Sequence, residues 1–243
     1  MKTMAFAVRN AKEILRDPLN LAFGLGFPLV LLVLLSAIQA NIPASLFEIN
    51  SLAPGVMVFG LSFITLFSAT MIAKDRSSAF LWRLYTTPMT GVNFIFGYTL
   101  PLLPIALAQG AACCVAALLL GLEPSVNILY ALALEVPVSV LYIALGLLCG
   151  SVLNEKQVGG VCGALLTNLS AWLSGIWFDL DLLGQTFGKL ARLLPFVHAV
   201  ELQRAVIGGA FGAALPHLLW VLFYDALLLF AAVTLFLKQM KKQ

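Results

Sequence analysis

At 243 residues, with 61% hydrophobic and only 10% charged residues and a mean hydropathy of +1.01, the chain has too little polar surface to cover a water-soluble fold. A soluble domain carries roughly 25% charged residues, so lipid is the solvent that fits. The formal net charge of +3 is too small to indicate a nucleic-acid partner, and no convincing small-residue cleavage site follows the first apolar run, so no cleavable leader is expected.

In chain order, residues 3–17 come first. Met4, Ala7, Val8, Ala11, Ile14 and Leu15 share one helical face, and Arg9, Lys12, Glu13 and Arg16 share the other. That is the pattern of a helix lying in the membrane interface with its cations toward lipid headgroups. Asp17-Pro18 ends it. A helix needs about 20 residues to cross a hydrocarbon core of ~30 Å. Six stretches are expected to do so: 19–38, 52–73, 92–120, 126–153, 157–177 and 217–237. The expected fold is therefore all-α, a polytopic bundle of six transmembrane helices in one domain.

Pro28, Pro101, Pro104 and Pro137 interrupt several spans, each removing a backbone donor. Small residues at 146/150 and 159/163 form two G-x-x-x-G pairs that allow close helix approach, either within the chain or between subunits. Cys113, Cys114, Cys149 and Cys162 lie in apolar runs with no zinc-like spacing and read as small hydrophobes.

Eleven of the fourteen lysines and arginines fall before the first span, after the second, between the fourth and fifth, and after the sixth. Lys189, Arg192 and Arg204 share a loop on the other side. The bias of cations toward the cytoplasm places both termini there.

Two connections are more than linkers. Between Lys74 and Gly91, Ser77 or Ser78 is suited to cap a short helix over residues 77–88 that Pro88 ends. Phe80, Leu81, Leu84 and Tyr85 give it an apolar stripe, with Arg83 facing away. Both docking in a groove on a cytoplasmic partner and resting on the membrane surface fit that pattern. Residues 179–216 are too charged to cross as one helix. Leu182, Leu183, Leu190 and Leu194 suggest an amphipathic piece, with a second helix after Pro195, so the segment is expected to dip into the outer leaflet and return. Glu201 and Arg204, three apart, are placed to pair. His198 and His217 sit at element edges with no nearby ligand set, and no metal site is expected.

Glu135 and Asp225 lie inside spans, each eight or nine residues from the outer end, or roughly 12–14 Å deep. An acid there costs on the order of 3 kcal/mol, which favours a bundle-facing or water-facing position. Proton holding, interhelical hydrogen bonding and attraction of a cationic substrate all fit.

Read in order, these features resemble the permease family of type-2 ATP-binding-cassette transporters over residues 5–240. Four places carry the resemblance: Arg16-Asp17-Pro18 after the basic helix; Ile49-Asn50-Ser51-Leu52-Ala53-Pro54-Gly55 leading into the second span; Asp75-Arg76, Leu81, Arg83-Leu84 and Thr87-Pro88 in the cytoplasmic loop; and Leu194-Pro195 with Glu201 and Arg204 before the last span. Ser77, Ala79 and Trp82 stand where the family often has an acid, glycine and an acid, so the charge pattern of the partner contact differs.

The resemblance implies a multi-pass plasma-membrane subunit, of a bacterial inner membrane, working as a homodimer or a pseudo-symmetric heterodimer among membrane lipids. It implies a coupling helix that meets a separate ATP-binding-cassette ATPase subunit, which holds ATP and magnesium. This chain itself is expected to bind no cofactor and to catalyse nothing. Consistently, the Gly188-Lys189 pair is followed by Leu190, so no phosphate-binding G-x-x-x-x-G-K-[ST] loop is present. The cargo class implied is an amphipathic or lipid-like small molecule, drug or glycan leaving the cytoplasm. A proton-coupled secondary transporter using Glu135 and Asp225 would need inverted repeats, none of which is evident. A non-transporting scaffold is the other alternative.

Overall fold

The computed structural model describes residues 2–43, 45–78, 90–178 and 180–241. All regular structure among them is helical. Helix α1 (Lys2–Leu15) is followed by a short α2 (Pro18–Leu21), a π-helical stretch (Ala22–Gly26) and α3 (Phe27–Gln39). Then come α4 (Ile49–Ser77), α5 (Gly91–Leu119) and α6 (Asn127–Val152). A composite helix follows, made of α7 (Glu155–Val158), a π-helical stretch (Gly159–Leu166) and α8 (Thr167–Leu173). Beyond a 3₁₀ turn (Leu180–Leu183) lie α9 (Gly184–Leu193), α10 (Pro195–Ile207) and α11 (Phe211–Lys241).

Among the described residues, five helices are long and apolar enough to cross a membrane: residues 22–39, α4, α5, α6 and 211–238 of α11. The composite helix over 155–173 is shorter and starts on the polar turn Glu155-Lys156-Gln157. It still runs from one end of the bundle to the other. At its start Ser77 bonds Glu155, and beyond its end the Gly175 carbonyl accepts from Arg204. Tracing such contacts, the described residues pass between the two ends six times. Both termini lie at the end holding α1, where Thr3 bonds Asn93 and Phe236 stacks on Phe94. Lys74, Arg76 and Lys156 lie there too, so it is called the basic end below.

Helix α4 is the axis of the bundle, with 83% of its apolar window buried. Hydrophobicity cannot hold helices together in lipid, so close packing and hydrogen bonds must. Gly146 and Gly150 of α6 meet that need. A Cβ at Gly146 would lie 2.6 Å from the Thr65 carbonyl oxygen, and one at Gly150 would lie 2.6 Å from that of Ala69. Hydroxyls of α4 add bonds across the seam, from Thr65 to the Tyr142 carbonyl (2.8 Å) and from Ser68 to that of Ile143 (3.3 Å). The second glycine pair behaves differently: nothing lies within 4 Å of a Cβ built at Gly159 or Gly160, and Gly163 makes only ordinary contact with Leu66.

These environments predict opposite outcomes. Gly150→Leu, blocked by backbone, should lower stability by about 1–3 kcal/mol or more. Gly159→Ala should stay within about 0.5 kcal/mol of the parent. Thermal unfolding of the two detergent-purified variants compares them directly.

Two helix boundaries differ from the sequence-based expectation. Helix α4 runs on through Ser77, so Lys74, Asp75 and Arg76 are helical rather than part of a loop, and Ser77 is in the last turn of α4 instead of capping a new helix. Ser78, extended at ψ 159°, closes α4. Helix α11 begins at Phe211, six residues before His217, and runs through Pro216. A proline so near a helix start forfeits a single bond. Phe211 is anchored edge-on to Tyr130 at 5.7 Å, and Ala214 is buried.

Helix α10 stands on the deep side of the bundle's far end. Phe196 packs against Tyr142, fifteen residues into α6, whereas the Ile207 carbonyl accepts from Asn127 at the start of α6. Over its 13 residues α10 therefore rises roughly 18 Å, from the bundle middle back to the end.

Candidate functional site

The basic end is organised around Asp75, 2% exposed in the last turns of α4. Arg9 of α1 grips its carboxylate with two nitrogens, at 2.7 and 2.8 Å, and the Tyr98 hydroxyl of α5 donates to it at 2.7 Å. Arg9 also donates to Asn10 (2.7 Å) and pairs with Glu13 (2.8 Å). Asn10, fully buried, donates to the Gly97 carbonyl at 2.9 Å. Gly97 is bare because Phe6 lies over it: a Cβ there would be 2.0 Å from the Phe6 ring. Phe6 in turn meets Tyr98 edge-on at 4.9 Å.

Helix α1 is thus amphipathic, as its sequence requires, and it also docks on protein. Its protein-facing stripe is Phe6, Ala7, Asn10 and Ile14. Met4, Val8 and Leu15, at 64%, 45% and 67% exposure, face outward, and Arg9 reaches protein rather than headgroups.

Three further contacts surround the point where α4 ends. Arg76 donates to the carbonyls of Gly150 (2.9 Å) and Leu153 (3.2 Å), capping the open end of α6. Ser77 donates to Glu155, at the start of α7. Asn154 and Gln157 close a reciprocal capping box around that start. On the far side of the segment, Thr90 caps α5 through the Asn93 amide, and Gly91 is pressed against Val233 of α11. The expected coupling residues Phe80, Leu81, Arg83, Leu84, Tyr85 and Pro88 lie outside the described residues. Both anchors of their segment, Ser78 and Thr90, are held in a junction that joins α1, α4, α5, α6, α7 and α11.

Glu135 and Asp225 are enclosed, at 1% and 6% exposure. The Glu135 carboxyl fills the place of a side chain at Gly110 on α5, and among the described residues neither oxygen has a hydrogen-bond partner; the same holds for Asp225 Oδ1. Ser139, one turn from Glu135, and Gln203 of α10 also have unpartnered buried polar atoms. The two acids are at different depths. Glu135 is eight residues into α6, roughly 12 Å, but the early start of α11 puts Asp225 fourteen residues in, roughly 21 Å.

At the far end Glu201 and Arg204 do pair, at 2.9 Å. Arg204 does more than that: it donates to the carbonyls of Ser51 (3.2 Å) and Gly175 (3.0 Å), tying α10 to the start of α4 and the end of the composite helix. These residues line a cavity of about 650 Å³ with Trp177, Phe178, Arg192, His198 and His217. The histidines, 19 positions apart, are in contact through their Nδ1 atoms at 2.9 Å, a meeting that no sequence spacing signals. Burial holds His198 below the usual histidine range, opposed by its bond to the Arg192 carbonyl.

The sequence profile of the ABC-2 type transporter family matches residues 1–207. The chain belongs to that family. As an ABC-2 type protein it is a multi-pass membrane permease subunit, and the family as a whole implies an ATPase partner. Comparison with curated proteins gave no match. The matched region takes in the latch around Asp75, the α4–α6 seam and the whole of α10, and stops just before the last span.

Proposed function

We propose that this ABC-2 permease is the membrane half of an ATP-driven exporter. The basic end faces the cytoplasm, an ATPase subunit carrying ATP and magnesium docks there through residues 77–88, and two permease chains form the pathway between them. The cargo is an amphipathic or lipid-like small molecule, drug or glycan. The observation that carries this reading is the junction around Asp75, Arg76 and Ser77. A push on the segment between Ser78 and Thr90 is delivered at once to α1 and five helices of the bundle. Soft linkers would dissipate it.

Glu135 and Asp225, enclosed within one bundle, support the helices that move rather than touching cargo at the boundary between two chains. Their shelter from lipid offsets the cost of an acid at that depth.

Orientation and partnership are tested together. In a cysteine-free parent, Glu48→Cys should react with a membrane-impermeant maleimide from outside and Ser78→Cys only after the membrane is opened; both positions are exposed. The purified complex should contain two permease chains and hydrolyse ATP. The reverse labelling pattern, or transport by a strictly monomeric permease free of ATPase, would overturn the reading.

A further inference from the structure

The histidine pair at the far end does more than tie two helices. His198 Nε2 lies 3.0 Å from the Arg192 carbonyl. A carbonyl only accepts, so Nε2 carries the proton and the Nδ1 lone pair points at His217. The His198 ring is fixed from behind by Trp220, stacked at 4.9 Å and 6°. Next to Trp220, Tyr224 donates to the Leu193 carbonyl and holds the same turn against α11. One imidazole is thus locked in a single tautomer with its free nitrogen aimed at another imidazole nitrogen, beside an open cavity of about 650 Å³.

A ring nitrogen that donates to a backbone carbonyl, leaving the other nitrogen free, is how metal-ligating histidines are held. We propose that His198 and His217 form a two-imidazole site for a borderline divalent cation, Zn²⁺ or Cu²⁺, at the wall of the far-end cavity. Metal–nitrogen bonds of about 2.0–2.1 Å in tetrahedral geometry need the two nitrogens roughly 3.3 Å apart. From 2.9 Å the rings part slightly and turn so that both Nδ1 lone pairs meet at a point beside the line joining them, toward the cavity. His217 moves its proton from Nδ1 to Nε2, so both ligands bind neutral and the count of protons is unchanged.

Among the described residues no group of three or more histidine, cysteine or acidic side chains converges, so water from the cavity completes the coordination shell and the ion is exchangeable. The local charges allow this. Arg204 is neutralised by Glu201, which lies one turn from His198, and Arg192 presents its carbonyl to His198 while being engaged in contacts of its own. The consequence is a clamp: a bound ion would fasten the α9–α10 turn to α11 at the end of the permease opposite its engine.

The sequence makes the test unusually clean, because the chain has only two histidines. Full-length protein purified in detergent with a histidine-free tag is titrated with Cu²⁺ and read by electron paramagnetic resonance with spin-echo modulation. The expected result is one Cu²⁺ per chain, with modulation from the remote nitrogens of two imidazoles, displaced by excess Zn²⁺. His198→Gln and His217→Gln should each leave one imidazole at most and weaken binding by roughly tenfold or more. A wild-type spectrum without imidazole modulation would overturn the proposal, and that measurement stands even if the variants fold poorly. Equal Cu²⁺ affinity in well-folded wild type and double variant would overturn it as well.

Discussion

Arg9→Ala should lower the stability of the purified permease by about 3 kcal/mol, near the bottom of the range for removing one partner of a buried ion pair, because Arg9 itself is about one-third exposed while Asp75 is not. The loss is not that of a contact alone. It leaves a carboxylate at 2% exposure with the Tyr98 hydroxyl as its one remaining side-chain partner among the described residues. Arg9→Lys should fall between, since an ammonium cannot reproduce the two-nitrogen grip at 2.7 and 2.8 Å. The double variant Arg9→Ala/Asp75→Asn should recover part of the loss, because the stranded charge is gone. Thermal unfolding in detergent measures all three. An Arg9→Ala protein as stable as its parent, or a double variant worse than the sum of its singles, would show that the pair does not hold α1 to the bundle.

Much of this arrangement was legible in the sequence, and the failures share a cause. Hydropathy located the helices because lipid leaves the backbone no alternative. It could not tell a face turned to lipid from one turned to protein, since both are apolar. So the one apolar face read for α1 holds both Met4, Val8 and Leu15, which point outward, and Ala7 and Ile14, which are buried against protein together with Phe6 and Asn10. Arg9 read as a headgroup contact because Asp75, 66 positions away, reads in sequence as part of a polar loop. The polar character of Asp75 and Arg76 is the same fact in both readings: they are polar because they bind α1 and α6 while remaining helical. Pro216 misplaced the start of the last helix, and with it the depth of Asp225, because a proline marks a boundary only when neighbouring contacts do not carry the helix past it. The two G-x-x-x-G pairs are identical as patterns. Only the presence of α4 against Gly146 and Gly150, and of open space at Gly159, separates them. The meeting of His198 with His217 depends on how α10 folds back onto α11, and no spacing rule encodes it.

Leu84→Asp and Tyr85→Ala should leave expression and dimerisation intact while separating ATP hydrolysis from export. On the proposed reading the engine is a separate ATPase subunit, so force enters through a surface at the basic end. The connection between α6 and α7 is a single tight turn closed by the Asn154–Gln157 capping box; its residues 154–157 are exposed, but it is too short to take that load alone. The segment between Ser78 and Thr90 is the longest connection at that end, and its sequence sets Phe80, Leu81, Leu84 and Tyr85 in one apolar stripe with Arg83 beside it. Apolar and aromatic anchors of this kind dominate contacts when they fill a groove, each costing ~2 kcal/mol or more on truncation. An aspartate at 84 adds a desolvated charge to that loss. The Asp75 latch lies outside the substituted positions, so the permease itself should remain as stable as its parent in thermal unfolding, unlike Arg9→Ala. The measurements are co-purification of the ATPase and cargo-stimulated hydrolysis. Parental behaviour in both, for both variants, would mean that the stripe rests on the membrane and that the drive enters elsewhere.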